Sequence, residues 1–145
     1  MAMGTLGLGA LWLAALAAGA ARAEILDKEP PQLKAGASHI VVGTTRAVYS
    51  FQGKNDEWET TYSVAEIAVT KVEKGQGLKD GGLVYARSWH RRWISNKPKR
   101  PDTHGHRGMP GRGDTVRVYL KRSADGGYDV MFPNGAEILK QARAK

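Results

Sequence analysis

Apolar and polar positions alternate with a period of two through most of the chain beyond residue 38, and this pattern predicts strands rather than helices. HIVVGTTRAVYSF (39–51) is β-branched and aromatic and reads as strand one. QGKNDEWET is a polar turn region, and TYSVAEIAVTKVE (61–73) reads as strand two. In strand two the apolar phase slips from Tyr62/Val64 to Ala65/Ile67/Val69, which predicts a bulge or sharp bend at Val64–Ala65. GLVYARSWHRRWI (82–94) is strand three, and DTVRVYLKR (114–122) is strand four. In strand four Val116, Val118 and Leu120 face a core, while Arg117, Tyr119 and Lys121 face out. SADGG signals a tight hairpin into strand five, YDVMF (128–132). AEILKQARAK reads as a short C-terminal helix. Residues 24–37 (EILDKEPPQLKAGA) read as an extended lead-in, in which Pro30-Pro31 argues against regular helix.

Five strands at this spacing predict an all-β domain over residues 38–145, a small OB-like five-stranded barrel, because closure removes exposed edges. A long loop of 19 residues, 95–113, joins strands three and four. Connections of that length are uncommon in compact domains and are usually functional or disordered.

"LKAGASHIVVGTT", "YSVAEIAVTKVEKGQGLKDGGLVYAR" and "GRGDTVRVYLKR", the last followed by "DGGY", resemble secreted bacterial domains related to the netrin-like, or tissue-inhibitor-of-metalloproteinase-like, OB-fold. The resemblance covers roughly residues 33–128. It implies the barrel and no catalytic residues. The animal inhibitors place an N-terminal Cys against a target metal, and this chain has no Cys, so the resemblance carries the fold and not protease inhibition.

Residues 6–20 (LGLGALWLAALAAGA) form a short uncharged apolar run followed by Ala21-Arg22-Ala23, the pattern of a cleaved signal peptide over 1–23, although no basic residue precedes the run. An exported protein, periplasmic or secreted, is expected; an N-terminal membrane anchor is the alternative, since residues 4–21 are uncharged and just long enough to span. The absence of Cys excludes disulfides, thiolate nucleophiles and Cys-based zinc sites.

Charge narrows the function. Residues 24–145 hold 21 Lys/Arg against 14 Asp/Glu, a formal +7. Residues 87–113 alone carry Arg87, Arg91, Arg92, Lys97, Lys99, Arg100, Arg107 and Arg112 against Asp102, also +7. The basic character is local, and a local basic field attracts anions. Alternation along strand three puts Tyr85, Arg87, Trp89, Arg91 and Trp93 on one face, where rings stack and guanidinium groups pair with anionic groups. The expected function is non-enzymatic binding of an anionic polymer or acidic protein surface. Charge would come from the eight basic residues; Trp89 and Trp93 would supply stacking. In an exported compartment acidic polysaccharide, envelope phosphate or a protein is favoured over nucleic acid. No cofactor is required by this reading, and the oligomeric state stays open.

Two alternatives remain. His90, His104 and His106 have the spacing to share a metal, Cu or Zn, although the cationic surroundings oppose a further cation. The domain could also be a structural envelope component. Glu66, mid-strand beside Ile67, is expected to pair with an Arg of strand three.

Overall fold

The computed structural model describes residues 25–100 and 102–143; the leader and anchor readings of residues 1–23 lie outside them. Its elements are α1 (Pro30–Gly36), β1 (His39–Lys54), β2 (Trp58–Lys74), β3 (Leu83–Trp93), β4 (Thr115–Arg122), β5 (Tyr128–Val130) and β6 (Ala136–Lys140). The strands run β1-β2-β3-β5-β4, and β4 pairs back onto β1, closing a five-stranded barrel. β3 and β5 are parallel; the other neighbours are antiparallel. This is the expected all-β, OB-like barrel. Among the described residues no helix is long and apolar enough to cross a membrane.

The interior is filled by Val41, Ala65, Ile67, Val69, Val84, Ala86, Val116, Val118, Leu120 and Val130. Each fully buried Val, Ile or Leu contributes about 1.5–3 kcal/mol relative to an exposed one. Val116, Val118 and Leu120 are completely buried, as the alternation of β4 requires.

The structure corrects the sequence reading at both ends of the domain. Residues 30–36 are helical, with Pro30 and Pro31 in the first turn. First-turn N–H groups have no intrahelical acceptor and proline's φ is already helical, so the prolines start this helix instead of preventing it. Gln32 Oε1 accepts the Glu29 N–H at 2.9 Å and fixes the turn. Leu33 then packs with Ala37, Ile40, Tyr119 and Met131 in a second cluster, so Tyr119, expected to face solvent, is buried. At the other end, the expected C-terminal helix is β6, paired with Thr115–Val118 along the free side of β4. So few residues make at best a marginal isolated helix, while the β4 edge offers ladder hydrogen bonds.

A third correction positions the site. Through the supposed bulge, β2 keeps register with both neighbours: Ser63, Val64 and Ala65 oppose Ser88, Arg87 and Ala86 on β3, and Ser50, Tyr49 and Val48 on β1. The register shift nearest to it lies between Thr45 and Ala47, with the extra residue on β1. The phase slip therefore marks a change in which face is apolar. Ala65, Ile67 and Val69 point into the barrel, whereas Tyr62 and Val64 lie on its outside.

β1 and β2 also run through the region read as a turn, reversing only at residues 55–57, where Asn55 Oδ1 accepts the Glu57 and Trp58 N–H groups. β4 leaves β1 at Thr44. Beyond that point β1, β2 and β3 continue as a three-stranded sheet projecting from the barrel.

Candidate functional site

Opposed residues in an antiparallel sheet share a face. On the outer face of β1–β2–β3 the registers give the rows Ala47–Glu66–Tyr85, Tyr49–Val64–Arg87, Phe51–Tyr62–Trp89 and Gly53–Thr60–Arg91, with Trp58 opposite Trp93 at the tip. Phe51 is 67% exposed, Tyr49 56%, Tyr85 50% and Tyr62 44%. Phe51 and Tyr62 stack at 5.0 Å between ring centroids. Trp89 stacks on Phe132 at 5.8 Å, and Trp58 meets Trp93 edge-on at 5.0 Å. The Arg91 guanidinium lies 4.2 Å from the Trp58 ring centroid and 5.8 Å from that of Trp89. A cleft of about 420 Å³ opens between this face and the 129–132 segment, lined by Tyr62, Arg87, Trp89, His106, Asp129 and Phe132.

The long loop folds back on β3. Gly105 bridges to His90, the Arg91 N–H bonds His104 O and the His106 N–H bonds Trp89 O, both at 2.8 Å. The His106 ring nitrogens also meet backbone. With Nε2–H donated to Val130 O at 2.9 Å, Nδ1 accepts the Trp89 N–H at 3.2 Å. Trp93 donates its indole N–H to Lys97 O.

The basic residues of the opening expectation fall differently. Arg87 bonds Asp125 and Asp129, each at 2.6 Å. Arg91 pairs with Asp102 at 2.5 Å, Arg92 with Glu59 at 2.7 Å, Arg100 with Glu57 at 3.1 Å and Arg107 with Asp27 at 2.7 Å. Among the described residues Lys97, Lys99 and Arg112 hold no carboxylate. Arg112 stands apart: its neighbour Gly113 bonds Thr45 O, while Lys97 sits at the hairpin tip. Thr45 to Lys54 spans about 30 Å of strand. The structure therefore does not gather the eight basic groups into one clamp. Carboxylates from β2, the hairpin turn, the β4–β5 turn and the lead-in neutralise much of the field.

Nor does it gather the three histidines. His90 is exposed and opposes Thr61, on the other face of the sheet from Trp89 and Arg91. His104 is exposed beside Trp58, and His106 is spent on backbone. Among the described residues no group of three or more His, Cys, Asp or Glu is placed to hold Cu, Zn or another ion. Glu66 pairs with Arg46 of β1 at 3.8 Å and accepts the Tyr49 hydroxyl, instead of pairing with an Arg of β3.

Sequence reasoning missed Tyr49, Phe51 and Tyr62 as surface residues. The available signal was the spacing of Tyr49/Phe51 and Tyr62/Val64, out of phase with the barrel interior.

Glu59 anchors the tip. Hydrogen bonds from the Lys54 ammonium and then the Arg92 guanidinium hold its carboxyl down from an ordinary 4.5 to about 2. A depressed carboxylate contributes stability above its unfolded pKa and loses it as pH falls through the folded value, so this contribution fades between pH 4.5 and about 2. Carboxyl NMR should give a Glu59 midpoint near 2, moving up in Arg92→Gln. A wild-type midpoint in the ordinary carboxylate range would mean that the pairs do not persist in solution.

Comparison with known proteins returns no counterpart: no family model matches the chain, and neither a curated protein nor a solved structure matches it.

Proposed function

We propose that this chain is a non-enzymatic binding module that docks an acidic protein partner on the outer face of β1, β2 and β3. One observation carries the reading. Tyr49, Phe51, Tyr62 and Tyr85 are all substantially exposed, and all four lie on one face of three contiguous strands. Isolated exposed apolar residues are normal on a soluble domain, but a contiguous aromatic patch marks an interaction surface. Aromatic anchors rimmed by arginines are the composition of protein interfaces, where a few such side chains carry most of the binding energy. Arg87 and Arg91 flank the patch in fixed geometry, each held by a carboxylate.

The same ion pairs favour a protein over an anionic polymer. A polyanion must compete with carboxylates already seated on the guanidinium groups, whereas a protein surface buries the rings and supplies acids only at the rim. Export and kinship with netrin-like domains belong to the proposal and rest on the leader and motifs of the sequence.

A photo-reactive phenylalanine analogue at position 51 tests the reading in cells of the source organism, with the same group at position 121 on β4 as control. The expected result is a discrete protein adduct from position 51 alone, lost in Tyr62→Ser and insensitive to added heparin. Equal labelling from both positions, or labelling displaced by heparin, would overturn it.

A further inference from the structure

The projecting hairpin leaves β1 with one open edge. Among the described residues the strand pairs with β2 alone from Ala47 to Lys54, since β4 ends its contact at Thr44 and the loop before β4 bonds β1 only at Thr45. The Asn55 N–H bonds Trp58 O, which sets the parity of the ladder. Tyr49, Phe51 and Gly53 then bond β2, while Val48, Ser50, Gln52 and Lys54 turn their N–H and C=O groups away from it. Natural edges are usually blunted by proline, by inward-pointing charge or by a cover. Between Ala47 and Gly53 there is no proline, no charge and no register shift, the nearest shift lying at the base of the hairpin between Thr45 and Ala47.

We infer that this edge accepts an extended segment of the partner as an added strand, with alternating apolar residues between acidic ends. The inference rests on the binding reading above and names how the partner is held. Two features choose the occupant. The row Phe51–Tyr62–Trp89 stops at Phe51, so a side chain of an added strand on the outer face continues it. Cations stand at both ends: Arg46 and Lys54 touch Glu66 at 3.8 Å and Glu59 at 2.9 Å, but their side chains are 60% and 63% exposed and keep room for a second carboxylate at the rim. The eight residue steps from one to the other span about 26 Å, the length of a nine-residue strand. A second copy of this chain fits poorly. Antiparallel self-pairing about Ser50 sets Arg46 against Lys54 of the other copy, and in-register parallel pairing sets Arg46 against Arg46, both repulsive. Main-chain bonding supplies affinity in such strand addition, and the charged ends supply selectivity.

Ladder parity makes the test specific. The probe is a synthetic nine-residue peptide of alternating valine and threonine with glutamate at each end, added to the labelled domain and followed by amide hydrogen exchange. At a peptide concentration about ten times Kd, the amides of Val48, Ser50 and Gln52 are expected to slow about tenfold. Those of Tyr49 and Phe51, already bonded to β2, should not change. A lysine-ended peptide should bind more weakly. Gln52→Pro deletes an outward N–H without touching the β2 ladder and should abolish protection, whereas Gln52→Ala keeps it. If the proline variant also loosens the hairpin, the parity of protection in the wild type still decides.

No protection up to about 1 mM peptide overturns strand addition. The face reading then stands or falls separately on the position-51 adduct. Outward amides that slow with the domain's own concentration, without peptide, would overturn the acidic partner in favour of a second copy.

Discussion

Replacing Gly105 with alanine is expected to destabilise the contact between the long loop and β3 by about 2–4 kcal/mol and to expose Trp89. Gly105 has φ +102°, a conformation that L side chains rarely adopt. An added Cβ would sit 2.5 Å from Trp89 O and 2.6 Å from His90 Cα. Both are backbone atoms of a paired strand, so β3 cannot yield and the loop must lift. Lifting breaks the Arg91–His104 and His106–Trp89 backbone bonds, each worth about 1 kcal/mol net, and removes the His106 ring from beside Trp89 and Phe132. Amide exchange should show Arg91 and His106 losing protection while the β4 amides keep theirs, and Trp fluorescence should shift to the red. Gly77→Ala is the control: its φ is +88°, but nothing lies within 4 Å of the added Cβ, so it carries backbone strain alone. Equal effects in the two variants would show that the loop is not seated on β3 as described.

Much of the barrel was legible because its interior obeys a period of two. Val116, Val118 and Leu120 point one way and are fully buried, and Val84 and Ala86 do the same on β3. The errors came where a second physical term competes with periodicity. Pro30-Pro31 excludes helix only when it falls beyond the first turn, and a sequence does not announce where a turn begins. The β6 strand depends on an open stretch of β4, a tertiary fact. In β2 the phase slip was real but ambiguous, since a bulge and an apolar exterior leave the same trace. The candidate site was legible in its rings and not in its charges. Trp89 and Trp93 do sit on the outer face with Arg87 and Arg91. The acids that neutralise Arg87 stand 38 and 42 residues away, and the one on Arg92 stands 33 away. A charge excess counted along the chain is not a charge excess in space.

Removing the acids on Arg87, Arg91 and Arg100 should strengthen polyanion binding. In Glu57→Gln, Asp102→Asn, Asp125→Asn and Asp129→Asn combined, Arg100, Arg91 and Arg87 lose their carboxylates. The amides keep an oxygen acceptor for the turn bonds to the Thr103 and Gly127 N–H groups. Each cation that engages a polyanion steepens the fall of log affinity with log salt by about 0.7, so three freed guanidinium groups steepen it by up to about 2. On a heparin column the wild type is expected to elute early with a shallow salt dependence, set chiefly by Lys97 and Lys99, and the fourfold variant much later. A wild type that already elutes late, and elutes early once Arg91, Arg92, Lys99 and Arg100 are changed to Ser, would restore the basic stretch as an anion clamp. It would also remove the reason for preferring a protein partner. A fourfold variant that elutes with the wild type would mean that the guanidinium groups are held from the polyanion by geometry and not by their carboxylates. The aromatic face would then remain as the surface that distinguishes this barrel from an inert one.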